Sequence, residues 1–67
     1  MNLQVNGKRF ACAPGTTVAD IVDRVVGPAR RKGVAVAIND EVVPRSEWGR
    51  ELVEGDRIEL VKAIQGG

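Results

Sequence analysis

Asn2-Leu3-Gln4-Val5-Asn6-Gly7-Lys8-Arg9-Phe10-Ala11, followed by Thr17-Val18-Ala19-Asp20-Ile21-Val22-Asp23-Arg24-Val25, is the stretch on which the fold turns. Leu3 and Val5 alternate with Asn2, Gln4 and Asn6, the period of a half-buried strand. Asn6-Gly7 is the pair favoured in a two-residue type I′ turn, where both central residues need positive φ. Lys8 to Ala11 then reads as the returning strand of a hairpin, with Phe10 its inward side chain. Pro14-Gly15 breaks that strand, and Thr16 or Thr17 is placed to cap a helix. Thr17 with Asp20 resembles a capping box, Asp standing for the usual Glu. Val18, Ile21, Val22 and Val25 fall at i, i+3, i+4 and i+7 and share one helical face, opposite Asp20, Asp23 and Arg24. β-branched residues are mediocre helix formers, so this helix depends on packing against a sheet. Gly27-Pro28 ends it, Gly as a left-handed cap and Pro as a stop.

Further along, Arg30-Arg31-Lys32-Gly33 reads as a short, solvated basic loop. Val34, Val36 and Ile38 alternate with Ala35 and Ala37, which predicts a strand covered on one face and closely approached on the other. Asn39-Asp40-Glu41 turns the chain into a brief Val42-Val43 strand stopped by Pro44. Ser46 is expected to cap a single helical turn through Trp48, and Glu54-Gly55-Asp56 makes another turn. Ile58 and Leu60 mark a final strand, and residues 62–67 are expected to form a flexible Gly-Gly tail. Hairpins at both ends of one helix give an α+β domain over residues 1–67, a mixed sheet of about five strands with the helix on one face. The first and last strands can pair in parallel at its centre, because the segment between them supplies the long crossover. That arrangement is the β-grasp, the fold of ubiquitin.

Composition narrows the functional classes. Sixty-seven residues with one cysteine allow no internal disulfide, so stability rests on apolar packing. The absence of histidine and tyrosine removes the commonest general base and one useful proton donor. Ten basic and nine acidic residues leave a net charge of +1, and the aromatics are one Phe and one Trp, a poor endowment for nucleic acid. The alternating N-terminus lacks a signal peptide's apolar run and no stretch is long enough for a membrane span. The expectation is a soluble cytoplasmic protein, monomeric when free.

Val36-Ala37-Ile38-Asn39, Val42-Val43-Pro44-Arg45 with Trp48, Leu52-Val53-Glu54-Gly55-Asp56, Ile58-Glu59-Leu60-Val61 and the terminal Gly66-Gly67 resemble the ThiS family, sulfur carriers of thiamine thiazole synthesis. The resemblance covers the whole chain, and the Arg30-Arg31-Lys32 loop is its main departure. It implies that a ThiF-type enzyme uses ATP to adenylate the carboxylate of Gly67. Sulfur from a persulfide donor then yields a thiocarboxylate, and a ThiG-type thiazole synthase takes the sulfur. No bound cofactor and no metal are implied, and the chain is a protein co-substrate and not an enzyme.

A terminal α-carboxyl titrates at roughly 3.3–3.7, so at neutral pH it is an anion that repels nucleophiles until adenylation supplies a leaving group. Gly66 and Gly67 lack Cβ and can thread a narrow channel, led by Gln65 and Ile64. Val61 and Ile64 are expected to give the partner enzymes an apolar grip. Cys12 reads better as a small filler than as a relay thiol. Trp48 reads as core support, while Arg45 is either a partner contact or solvated. Two alternatives stand beside this reading: the sulfur carrier subunit of molybdopterin synthase, and a β-grasp interaction module or protein tag carrying no sulfur.

Overall fold

The computed structural model describes residues 1–62. Its strands are β1 (Asn2–Val5), β2 (Lys8–Ala11), β3 (Val34–Ile38), β4 (Glu41–Val43) and β5 (Arg57–Lys62), with helix α1 (Val18–Val25) between β2 and β3. The sheet order is β2-β1-β5-β3-β4, antiparallel throughout except for the central β1–β5 pair. This five-stranded mixed sheet with one helix is the β-grasp arrangement that the hairpin–helix–hairpin order implied.

Local chemistry sets the turns. Asn6 and Gly7 stand at φ 50° and 82°, the positive pair a type I′ turn requires. Asn39 and Asp40, at φ 50° and 72°, make a second such turn between β3 and β4. Side chains reinforce both. Asn6 Oδ1 accepts from the Leu60 N–H at 2.8 Å, and Asn39 Oδ1 accepts from the Arg57 N–H at 3.0 Å.

The start of α1 carries the full capping box. Thr17 Oγ1 accepts from the Asp20 N–H at 3.2 Å, and Asp20 Oδ2 accepts from the Thr17 N–H at 3.0 Å. That backbone N–H, with the Thr17 hydroxyl, holds the Asp20 carboxyl below its ordinary value of 3.8. The first two helical N–H groups, which have no partner within a helix, donate to the Arg50 and Trp48 carbonyls at 3.1 and 2.9 Å. The helix start is thereby stitched to residues 48–52.

The core gathers Val18, Ile21 and Val22 of α1 against Leu3, Val5, Val36, Ile38 and Ile58 of the sheet, joined by Val34, Val43, Trp48 and Leu52. Phe10 and Leu60 are half-buried beside it. Val25 departs from the expected stripe and is 41% exposed, while Ala19 and Val26 are the residues partly buried against the core. The buried face of α1 thus extends past Val22 to Ala19 and Val26, which at 100° per residue lie beside it. Val25 falls between Ile21 and Val18 on the helical wheel, so its exposure goes with its place as the last residue of the helix and not with rotation about the axis.

Three further expectations change in detail. Gly27 follows the helix at φ 89° and ψ 150°, an extended conformation of positive φ open essentially to glycine, and not the left-handed helical cap. Ser46 lies inside a 3-10 turn, Arg45–Glu47, whose N-cap is Pro44 with no side-chain cap. Ala35 is exposed and Ala37 half-exposed, so among the described residues nothing closely approaches that face of β3.

The basic loop is also more ordered than a solvated run. Pro28–Gly33 forms a 3-10 segment, and Arg31 makes a bidentate pair with Asp23, Nε to Oδ1 at 2.9 Å and Nη2 to Oδ2 at 3.0 Å. The Arg45 guanidinium donates to the Arg31 and Lys32 carbonyls at 3.0 and 3.1 Å and lies 5.0 Å from the Trp48 ring centre. Arg45 therefore clasps this segment to the turn after β4. Trp48 is buried and its Nε1 donates to the Val43 carbonyl at 3.3 Å, a core role.

Candidate functional site

β5 carries the chain toward residues 63–67, and its pairing shows how that end is presented. β1 pairs with β5 only at Arg57 and Ile58, and Asn6 reaches on to Leu60, whereas β3 pairs with β5 from Ile58 to Lys62. Among the described residues, Val61 and Lys62 therefore have a strand neighbour on one side only. The end of β5 is held in the sheet by the start of β3 alone.

Period-2 alternation then divides the side chains. Ile58 and Leu60 turn toward α1 with Val36 and Ile38, while Arg57, Glu59 and Val61 lie on the opposite face. Val61 is 60% exposed there. Its cross-strand partner is Ala35; on the same face Ala37 is flanked by Glu59 and Val42. Val42 is 78% exposed. Val61, Ala35, Ala37 and Val42 thus make an apolar strip on the face away from the helix, with the acidic Glu59 beside it.

Val42 and the two alanines were not among the residues singled out from sequence. Alternation places Ala35 and Ala37 outward once Val34, Val36 and Ile38 are inward. In Val42-Val43 one residue must face out, but only the register against β3 says which. The strip itself is apolar surface without a nucleophile or base. Ile64, Gln65, Gly66 and Gly67, the expected threading and attachment residues, lie outside the described residues. Cys12 follows β2, is half-buried against the core, and its N–H donates to the Met1 carbonyl at 2.9 Å. That is the setting of a filler. Among the described residues no group of three or more His, Cys, Asp or Glu side chains is placed to hold a metal ion. No described helix is long and apolar enough to cross a membrane.

Comparison with known proteins gives consistent matches over the whole chain. Residues 3–67 match the ThiS family model. The chain is 37% identical over 68 residues to the sulfur carrier protein ThiS of Escherichia coli strain K12, covering all of both chains. It superposes on the crystal structure of the thiamine biosynthesis protein ThiS from Geobacter metallireducens with a TM-score of 0.81 at 30% identity, again covering both chains completely. A solution structure of a thiamine biosynthesis protein from the same organism gives a TM-score of 0.73 at 31% identity, with 100% of this chain and 88% of that one covered. The β-grasp topology and the family match through Gly66-Gly67 agree: the chain belongs to the ThiS family.

Proposed function

We propose that this chain is a sulfur carrier protein of thiamine biosynthesis, acting through the carboxylate of Gly67. An ATP-dependent adenylating enzyme of the ThiF type binds the apolar strip around Val61 and takes Ile64, Gln65, Gly66 and Gly67 into its channel. The carboxylate attacks the α-phosphorus of ATP, releasing pyrophosphate and forming an acyl adenylate. The terminal sulfur of a persulfide attacks the acyl carbon and AMP leaves. Cleavage of the resulting acyl disulfide by a second thiol leaves a thiocarboxylate. A ThiG-type thiazole synthase then accepts the sulfur. The chain itself supplies a leaving-group site and a docking surface, and the catalytic groups belong to its partners.

The observation that carries this reading is the full-length likeness to the E. coli sulfur carrier, which includes the Gly66-Gly67 end. The exposed Val42 and Val61, on the sheet face away from the helix, support it, since solvated apolar side chains grouped on one face favour a protein partner. Intact mass spectrometry of the protein co-expressed with the adenylating enzyme and a persulfide donor tests it. The expected result is a fraction heavier by the difference between sulfur and oxygen, with the extra mass on the C-terminal peptide. A C-terminus that remains a carboxylate under those conditions refutes the proposal.

A further inference from the structure

The 3-10 segment Pro28–Gly33 and the end of β5 bring positive charge together at one end of the molecule. Val34, which follows the segment directly, is the cross-strand partner of Lys62. Arg30, Lys32 and Lys62 are exposed around this point. The two ion pairs among the described residues are Arg31–Asp23 and Arg57–Asp40, and Arg30, Lys32 and Lys62 enter neither. Of the acids nearby in the fold, Asp23 is engaged by Arg31, and Asp20, which the Arg31 charge also reaches, is held in the capping box, while Glu47 lies in the turn with Arg45. Acidic residues concentrate elsewhere. Asp40, Glu41, Glu54 and Asp56 lie around the start of β5, and Glu51 bridges to the beginning of α1.

The basic segment is also held in shape. Arg31 is pinned to Asp23 and the Arg45 guanidinium clasps the Arg31 and Lys32 carbonyls. Arg30 and Lys32 therefore project from a fixed backbone, and their binding needs no ordering of the loop. Nucleic acid is the weaker fit, because Trp48 is buried and Phe10 half-buried, leaving no exposed ring for a base to stack on.

We propose that Arg30, Lys32 and Lys62 form a docking surface for an acidic protein surface bordering the mouth of the adenylating enzyme's channel, so that charge steers the tail toward that mouth. The proposal rests on the carrier reading above. Complementary charge acts mainly on the rate of encounter and is screened by salt, over about 8 Å at physiological ionic strength.

Stopped-flow association of the purified adenylating enzyme from the same organism tests it, using wild type, Lys32→Glu, Arg30→Glu/Lys32→Glu and Arg50→Glu at low and high salt. Arg50→Glu makes the same charge change at an exposed site beside the start of α1, at the opposite end of the sheet from Lys62. The expected result is an association rate lowered several-fold in Lys32→Glu and about tenfold or more in the double variant at low salt, with the gap closing at high salt. Arg50→Glu should stay within about twofold of wild type. Equal slowing by Arg50→Glu and Lys32→Glu, or no slowing by the double variant, overturns the proposal. So does unchanged enzyme association alongside salt-sensitive capture of a duplex oligonucleotide. If the wild-type chain associates but is never thiocarboxylated, the carrier reading fails while the rate comparison still decides the surface.

Discussion

Asp56 is a buried charged side chain, and its role is set by what its two oxygens accept. Oδ2 takes the Val53 N–H at 2.9 Å and Oδ1 takes Asn39 Nδ2 at 3.0 Å, joining the turn before β5 to the β3–β4 turn. Removing the carboxylate deprives both donors of their partner at a part-buried site, a penalty of about 1–3 kcal/mol. Asp40 offers the contrast, for its pair with Arg57 at 3.2 Å is exposed and worth under about 1 kcal/mol. Asp56→Ala should therefore lower the urea-unfolding free energy clearly more than Asp40→Asn, which keeps a residue tolerant of φ 72°. Equal losses would show that Asp56 is not an organising group. Little of this was legible in the sequence. Asn6-Gly7 and Thr17 with Asp20 could be read because each acts on neighbours in the chain. The bond of Asp56 to Asn39 and those of Arg45 to the Arg31 and Lys32 carbonyls could not, because these partners lie 17 and 13–14 residues away. Residue type alone does not announce such bonds.

At the scale of elements, periodicity predicted α1 and its buried face but not where along the helix that burial ends. Val25 lies between Ile21 and Val18 on the helical wheel, yet it is the last residue of α1 and 41% exposed. Ala19 and Val26, which flank Val22, are partly buried instead. The two valines at 22 and 25 should consequently differ sharply. Val22 is fully buried, and Val22→Asp puts an unpaired charge in the core at a cost of several kcal/mol. A domain this size has roughly 3–10 kcal/mol in hand, so the variant should be largely unfolded. Val25→Asp, at a half-open site in the last helical turn, should retain a cooperative thermal transition. Circular dichroism melts check both. A folded Val22→Asp or an unfolded Val25→Asp would place the helix face elsewhere. The 3-10 segment after α1 escaped the sequence reading for a related reason. Its order comes from Arg31 reaching back to Asp23 and Arg45 reaching across, not from its own propensity.

For the whole molecule, folding and the proposed chemistry fall on separate parts of the chain. Among the described residues the buried apolar side chains run from Leu3 to Ile58, whereas the expected reacting atoms are at Gly67. The Gly-Gly end was legible because backbone chemistry needs no tertiary partner to be recognised. The apolar strip was half legible, because Val42 becomes a surface residue only through its pairing with Ala37. This separation makes the carrier reading testable without disturbing the fold. Deleting Gly67 leaves a carboxylate on Gly66, displaced by about 3.3–3.6 Å along an extended chain. Near-attack geometry tolerates far less, and an error of about 1 Å can cost about a hundredfold in rate. The shortened protein should melt like wild type and still bind the adenylating enzyme through Val61 and Val42. It should nonetheless fail to support pyrophosphate exchange. One residue added beyond Gly67 should do the same by carrying the carboxylate too far. Gly66→Val keeps the length and adds a branched side chain within the channel, so its loss of exchange would report on width and not on reach. Wild-type rates in both the shortened and the extended protein would remove the carrier mechanism, leaving the apolar strip as the surface of an interaction module.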